Sequence, residues 1–149
     1  MVVYRVAHCQ YIRDLSGEGS FRYGGRWNSK GVRVLYTSVS SSLALLENIA
    51  HGMRASKEYC LAVINIPDEK IQRIQAKDLP AGWAEYPASE KLTLTGDKFV
   101  KDGKYLALRL PSVVNPEEDN VLINPAHPDF KKIKIVRAEK IGVDKRLKK

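Results

Sequence analysis

The residue types best suited to chemistry gather in the first third of the chain. The run Gly24-Gly25-Arg26-Trp27-Asn28 sets an arginine in a glycine-rich backbone, and Gly31, Tyr36 and Glu47 follow it. A guanidinium held by such a loop suits a phosphate, which it binds through charge-assisted and often bidentate hydrogen bonds. A tyrosine at a strand end can stack on a flat ring. A glutamate at the margin of an apolar helix face is partly dry, where a carboxylate favours a nearby cation or a sugar hydroxyl. The same residues also suit a well-made loop, a core tyrosine and a surface glutamate, so residue type alone leaves both readings open.

A second cluster runs Pro111-Ser112-Val113-Val114-Asn115-Pro116, then Asn120, then Leu122-Ile123-Asn124-Pro125-Ala126-His127-Pro128. Asparagine and serine between prolines build rigid turns through side-chain to backbone bonds. Ser112 falls just past a predicted strand, where loops often carry ligand contacts. Standard motifs are missing. There is no Walker loop, and Gly17 and Gly19 lack the third glycine and the strand–helix context of a dinucleotide fingerprint. His8, His51 and His127 have no metal-ligand spacing, so each reads as a surface or satisfied histidine and no metal is expected. Cys60 lies in an apolar run and reads as core.

The elements that must position these residues follow from periodicity. Residues 1–7 read as an opening strand rich in Val and Tyr. Residues 13–31, with five glycines, read as an irregular loop. Residues 32–37 are a short strand, and residues 40–53 a helix capped from a serine cluster. Its predicted apolar stripe is Leu43, Leu46, Ile49, Ala50 and Met53, with Glu47 at the stripe's edge. Strands are expected at 59–66, 71–74, 105–110, 121–123 and 133–136, and a helix near 89–100. Many strands and few helices give the α+β class in one domain over residues 1–149, with a basic C-terminal tail from about residue 138.

Composition narrows the class. The chain has 149 residues, 44% of them hydrophobic, with 25 Lys+Arg against 17 Asp+Glu and a net charge of +8. No run approaches the ~18 apolar residues of a membrane span, and residues 1–11 lack a signal-peptide pattern. Two cysteines, Cys9 and Cys60, cannot make a disulfide scaffold, so reduced thiols and a cytoplasmic location are expected. Residues 131–149 carry a net +7 and residues 1–46 a net +4, whereas residues 47–130 are net negative. The first of these reads as a solvated, mobile basic end after an edge strand. A nucleic-acid binder or ribonuclease is the distant alternative, because no helix-turn-helix, aromatic ribonucleoprotein motif or His/Lys cluster accompanies the charge.

The runs GGRWNSKGVRVLYTS (24–38), ALLE (44–47), PSVVNPEEDNVLINP (111–125) and AHPD (126–129), with Tyr4-Arg5 at the start, resemble the RES-domain family. These are toxins of bacterial toxin–antitoxin pairs, named for Arg, Glu and Ser residues and partnered by an Xre-type antitoxin. The resemblance implies an ADP-ribosyltransferase-like fold with a mixed or antiparallel β core. It also implies NAD as substrate rather than cofactor, consumed by hydrolysis or phosphorolysis of the nicotinamide–ribose bond. Transfer of ADP-ribose to a protein from the same site is the alternative. Carried over by position, the family's site residues fall on Arg5, Arg26, Tyr36, Glu47 and Ser112, with Asn124 added. In that scheme Glu47 stabilises the ribose cation, Arg5 and Arg26 hold the pyrophosphate, Tyr36 packs on nicotinamide, and Ser112 bonds nicotinamide or ribose or orients the acceptor. The family also implies an antitoxin segment inserted in the cleft and a toxin homodimer, with neither nucleic acid nor membrane touched by this chain.

Overall fold

The computed structural model describes residues 1–149. Strand β1 (Val2–His8) opens the chain and helix α1 (Glu18–Tyr23) follows. Strand β2 (Leu35–Ser38), helix α2 (Ser41–Ala50) and strand β3 (Tyr59–Asn65) complete the first half. Strand β4 (Ile71–Arg73), helix α3 (Thr93–Asp102), and strands β5 (Ala107–Pro111), β6 (Asp119–Ile123) and β7 (Lys134–Lys140) form the second. The strands make one sheet in the order β4-β5-β6-β2-β1-β3-β7. Only the β4–β5 pair is parallel, so the sheet is mixed and the fold is α+β, as expected.

Register decides which side chains share a face, because alternate residues of a strand point to opposite sides. Opposite Val3, Arg5 and Ala7 of β1 stand Ile64, Ala62 and Cys60 of β3. This face carries the largest core cluster, which includes Val3, Leu35, Ile64, Leu106, Val121 and Ile123. On the other face, Val6 packs with Ala44, Met53 and Tyr59 beneath α2. Further along that face, Leu108, Leu110 and Leu122 pack with Trp27 and with Phe99 of α3. The residues that matter for the site (Tyr36, Ser38, Asn120 and Leu122) alternate onto this second, helix-covered face.

Several expectations need correction. Residues 13–31 are not wholly irregular. Glu18–Tyr23 form α1, entered through Gly17 at φ 73° and left through Gly24 at φ 69°, both in the left-handed region glycine tolerates. The inward row of α2 is also shifted from the predicted stripe. Leu43 and Ala44 are buried, whereas Leu46 and Ala50 face solvent. Glu47, four residues beyond Leu43 and three beyond Ala44, therefore lies on the inward side of the helix rather than at its margin.

The basic end is not an unstructured tail from residue 138. Ala138 to Lys140 belong to β7, and Ile141 and Val143 pack beside Val6, Ala44, Met53 and Tyr59. The last residue exchanges backbone hydrogen bonds with Met53 and Ala55. Lys132, Lys140 and Arg146 pair with Asp129, Glu58 and Asp144. Cys60 is core as predicted, but the thiols are not free: Cys9 and Cys60 are joined as a disulfide. Ala7 lies opposite Cys60 in the β1–β3 register, which brings Cys9, two residues on, to the same end of β3. No helix is long and apolar enough to cross a membrane.

Candidate active site

Glu47 is positioned by a helix whose start is fixed in place. The Ser40 hydroxyl accepts from the Leu43 backbone N–H, a side-chain cap, and donates to the Glu118 carboxylate at 2.8 Å. One turn after Ala44, Asn48 donates its amide to the Val6 carbonyl of β1 at 2.7 Å, docking the helix on the sheet. Between these anchors the half-buried Glu47 carboxylate meets two donors at one oxygen. Ser112 Oγ donates to Glu47 Oε1 at 2.7 Å, and Asn120 Nδ2 donates to the same oxygen at 2.5 Å. No protein group donates to Glu47 Oε2.

Ser112 is fully buried in the turn that leaves β5. Its hydroxyl accepts the N–H groups of Val114 and Asn115, at 3.0 and 3.1 Å, a serine turn of the kind predicted from the prolines around it. With both acceptor positions taken, its single proton goes to Glu47. Ser112 therefore braces the carboxylate, and its hydroxyl proton is already committed. Asn120 was missed as a site residue, although it stands in the proline-bounded cluster. The available signal was its alternation with Leu122 on β6, opposite Ser38 and Tyr36 of β2.

The glycine-rich loop lies on the same face. Tyr36 is two residues before Ser38, or roughly 7 Å along the strand. Its hydroxyl donates to Asn28 Oδ1 at 2.6 Å and accepts the Trp27 N–H at 3.2 Å. Burial pushes the phenol well above its usual range, so it stays a protonated donor. Buried Asn28 spends its amide protons on the carbonyls of Ser20, Ser29 and Val32. Gly25 is required here, since a Cβ on it would lie 2.6 Å from the Tyr36 hydroxyl. Helix α3 closes the loop from outside. Asp97 accepts from the backbone and hydroxyl of Ser29. Gly96 approaches so closely that a Cβ would sit 2.0 Å from the Trp27 carbonyl.

Arg26 projects from this loop. Its Nη1 donates to the carbonyls of Trp83 and Glu85, at 3.0 and 3.1 Å. That leaves the Nε/Nη2 edge, the edge that binds an oxyanion bidentately, without a protein acceptor. Arg5 is placed differently. It alternates with Val3 and Ala7, opposite to the Val6 side where α2 packs. Its guanidinium donates to the carbonyls of Tyr11 and Ile12; burial lowers its pKa, and Asp14 opposes that. No hydrogen bond joins Arg5 to the Glu47 cluster.

Asn124 is not brought to Glu47. Four residues beyond Asn120, it is roughly 14 Å further along the strand direction. There its side chain accepts the Ala126 N–H and donates to the Val100 carbonyl of α3. It lines a separate cavity of about 420 Å³ with Val32, Asp97 and Val100. His127 Nδ1 caps a short turn by accepting from Asp129 N–H, His8 packs edge-on to Tyr59, and the exposed His51 Nδ1 lies 2.7 Å from the Glu47 backbone carbonyl. No group of three or more His, Cys, Asp or Glu could hold a metal ion.

Comparison with known proteins points to one family. The model of the RES domain matches residues 2–144. The "Prs ADP-ribosylating toxin" of Sphingobium sp. is 39% identical over 140 residues, covering 90% of this chain and 86% of that protein. A "Toxin Res" of Yersinia enterocolitica is 35% identical over 152 residues, covering 99% and 100%. Among solved structures, a chain of the M. tuberculosis MbcT–MbcA toxin–antitoxin complex has the same fold. It superposes with a TM-score of 0.76 at 16% identity, over 94% of this chain and 83% of that one. Matched from its first strand to beyond its last, the chain belongs to the RES-domain family.

Proposed function

We propose that this protein is the toxin of a toxin–antitoxin pair and consumes NAD by breaking the bond between nicotinamide and ribose. The observation that carries this reading is the Glu47 carboxylate: half-buried, with Oε1 fixed by Ser112 and Asn120 and Oε2 free of protein partners. When the glycosidic bond breaks, its electron pair stays on the nicotinamide nitrogen, which leaves neutral and needs no strong general acid. The ribose is left as an oxocarbenium-like cation, as in glycoside cleavage generally. A fixed anion beside that cation and its hydroxyls lowers the barrier without reorganising during the reaction.

The other residues take supporting parts. Arg26 offers its Nε/Nη2 edge to the pyrophosphate, whereas Arg5, on the opposite face of the sheet and bonded to the Tyr11 and Ile12 carbonyls, takes no direct part in this reading. Tyr36 fixes the loop that carries Arg26, and its ring face is the surface offered to nicotinamide. Ser112 holds Glu47 rather than the substrate. Water as acceptor gives ADP-ribose and a proton, and phosphate gives ADP-ribose phosphorylated at its anomeric carbon. In this reading NAD is the substrate. Toxicity of this kind requires a neutralising partner. This reading expects an Xre-type antitoxin that fills the cleft, bound to a toxin homodimer; the structural relative is itself part of a toxin–antitoxin complex.

A second reading has one observation in its favour, the ADP-ribosylating name of a 39% identical relative. There the acceptor is a protein side chain, and the cleavage step is unchanged. Purified protein incubated with NAD should release nicotinamide; no release, with the fold intact by circular dichroism, would sink degradation, and no release after cell lysate is added would sink transfer as well. NAD labelled in its adenosine half, added with cell lysate, separates them. Label in free small products marks degradation, and label bound to protein marks transfer.

A further inference from the structure

We propose that Asn120, itself oriented by Ser38, is a positioning residue that holds the Glu47 carboxylate in one rotational setting for the reaction. The inference rests on the reading above that Glu47 faces the developing cation.

The chemistry of the groups fixes the direction of every bond in this relay. An ionised carboxylate only accepts hydrogen bonds, so the Asn120 group 2.5 Å from Glu47 Oε1 must be its NH2 end. The Asn120 carbonyl then faces Ser38 Oγ at 2.8 Å, and the serine must be the donor. Ser38 and Asn120 stand directly opposite each other on β2 and β6, where cross-strand side chains are in closest reach. Ser38 is buried at 3% exposure. A reversed amide would set its carbonyl against the carboxylate, so Glu47 decides which way the amide faces and the Ser38 hydroxyl, donating to the amide carbonyl, braces that orientation.

Oε1 is thus held from two independent elements, the turn after β5 through Ser112 and β6 through Asn120. One donor leaves a carboxylate free to turn about its last bond, whereas two donors converging on one oxygen stop that rotation. Oε2 is then held at a constant place. The relay Ser38–Asn120–Glu47 acts on the carboxylate and not on the substrate, so its loss should appear in kcat and not in KM.

The test uses the whole chain and two readouts. In NAD turnover, Asn120→Ala should lower kcat about 10- to 100-fold, the usual range for a partner one step behind a reactive group, with KM for NAD unchanged. Ser38→Ala should lower kcat less, and in the Asn120→Ala background it should cost nothing more, since its effect passes through the amide. Additive losses, or an Asn120→Ala kcat within about twofold of wild type, would overturn the proposal. The second readout needs no substrate. The side-chain amide of Asn120 in a 15N-labelled sample should give shifted, slowly exchanging signals that move in both Glu47→Ala and Ser38→Ala. Signals indifferent to those changes also overturn the relay. A wild-type chain that releases no nicotinamide, with amide signals that respond as stated, removes the proposed function and leaves the positioning of Glu47 standing.

Discussion

Asn28 and Asn120 are two asparagines on the same side of the sheet whose hydrogen bonds end in different places. Asn28 closes a loop on itself. Its amide protons go to three backbone carbonyls and its carbonyl takes the Tyr36 hydroxyl, which in turn takes the Trp27 N–H. Asn120 belongs to an open chain. Its carbonyl takes Ser38, its NH2 goes to Glu47 Oε1, and beyond that oxygen lies Oε2 with no protein donor. A closed network spends every valence on the fold. An open one ends in a group whose remaining valence is available to a substrate. Both regions are polar and largely buried, so burial does not separate structure from function here; the end of the network does.

The comparison breaks most easily at Asn28. Its replacement by alanine removes the acceptor of the Tyr36 hydroxyl and the side-chain donor to the part-buried carbonyls of Ser20, Ser29 and Val32, of which the first two keep a backbone N–H. Losing these bonds, with the Tyr36 hydroxyl and the Val32 carbonyl left short of a partner, should cost about 3 kcal/mol. Thermal melting of Asn28→Ala should fall by roughly 10 °C for a chain of this size. A melting temperature close to that of wild type would mean that the loop is held by α3 alone, through Gly96 and Asp97.

Glu47→Gln should give the reverse pattern. The amide keeps the size of the side chain but removes the negative charge from the open end. Nicotinamide release should drop on the order of 100-fold, equivalent to about 2.7 kcal/mol of transition-state stabilisation, with melting nearly unchanged. Equal losses of stability in Glu47→Gln and Asn28→Ala would erase the distinction between the two networks.

Much of this arrangement was legible in the sequence because it is local. The serine cap of α2, the β1 and β3 strands and the serine turn after β5 each follow from a few adjacent residues. The family resemblance pointed to Glu47 and Ser112, and these prove to be in direct contact. What could not be read is register. Whether Asn120 or Asn124 reaches Glu47 depends on which residue of β6 faces Ser38, a pairing set by tertiary structure across 82 residues. Both asparagines suit a turn and both alternate onto the same face, so residue type favoured neither. The fate of the basic end was hidden for a similar reason. Ile141 and Val143 find apolar partners only because β7 delivers them beside Val6 and Met53. Reading Leu46 and Ala50 as inward failed because helical spacing fixes a face only to within a residue or so.

Arg26 joins the two networks, since it grows from the closed loop but offers its free edge outward. Arg26→Ala should raise KM for NAD about tenfold, near 1.4 kcal/mol, and change kcat less. Its contacts to the Trp83 and Glu85 carbonyls would be lost as well, so the 83–85 segment should become more accessible to protease. A change in protease sensitivity with no change in KM would assign Arg26 wholly to the closed network.

The smallest effect separates the two parts of Tyr36. Tyr36→Phe keeps the ring that nicotinamide would meet and removes the hydroxyl that joins Asn28 to Trp27. Two lost hydrogen bonds, to Asn28 and from Trp27, should cost about 1–2 kcal/mol, or roughly 2–8 °C in melting. KM should stay near the wild-type value, because the ring face and the Arg26 edge both remain. Tyr36→Leu removes the flat ring as well, and should raise KM beyond the change seen with phenylalanine. Were phenylalanine and leucine to behave alike in KM while both lowered melting, Tyr36 would be a strut of the closed network alone, and the nicotinamide surface would have to be sought elsewhere on the face shared with Ser38 and Glu47.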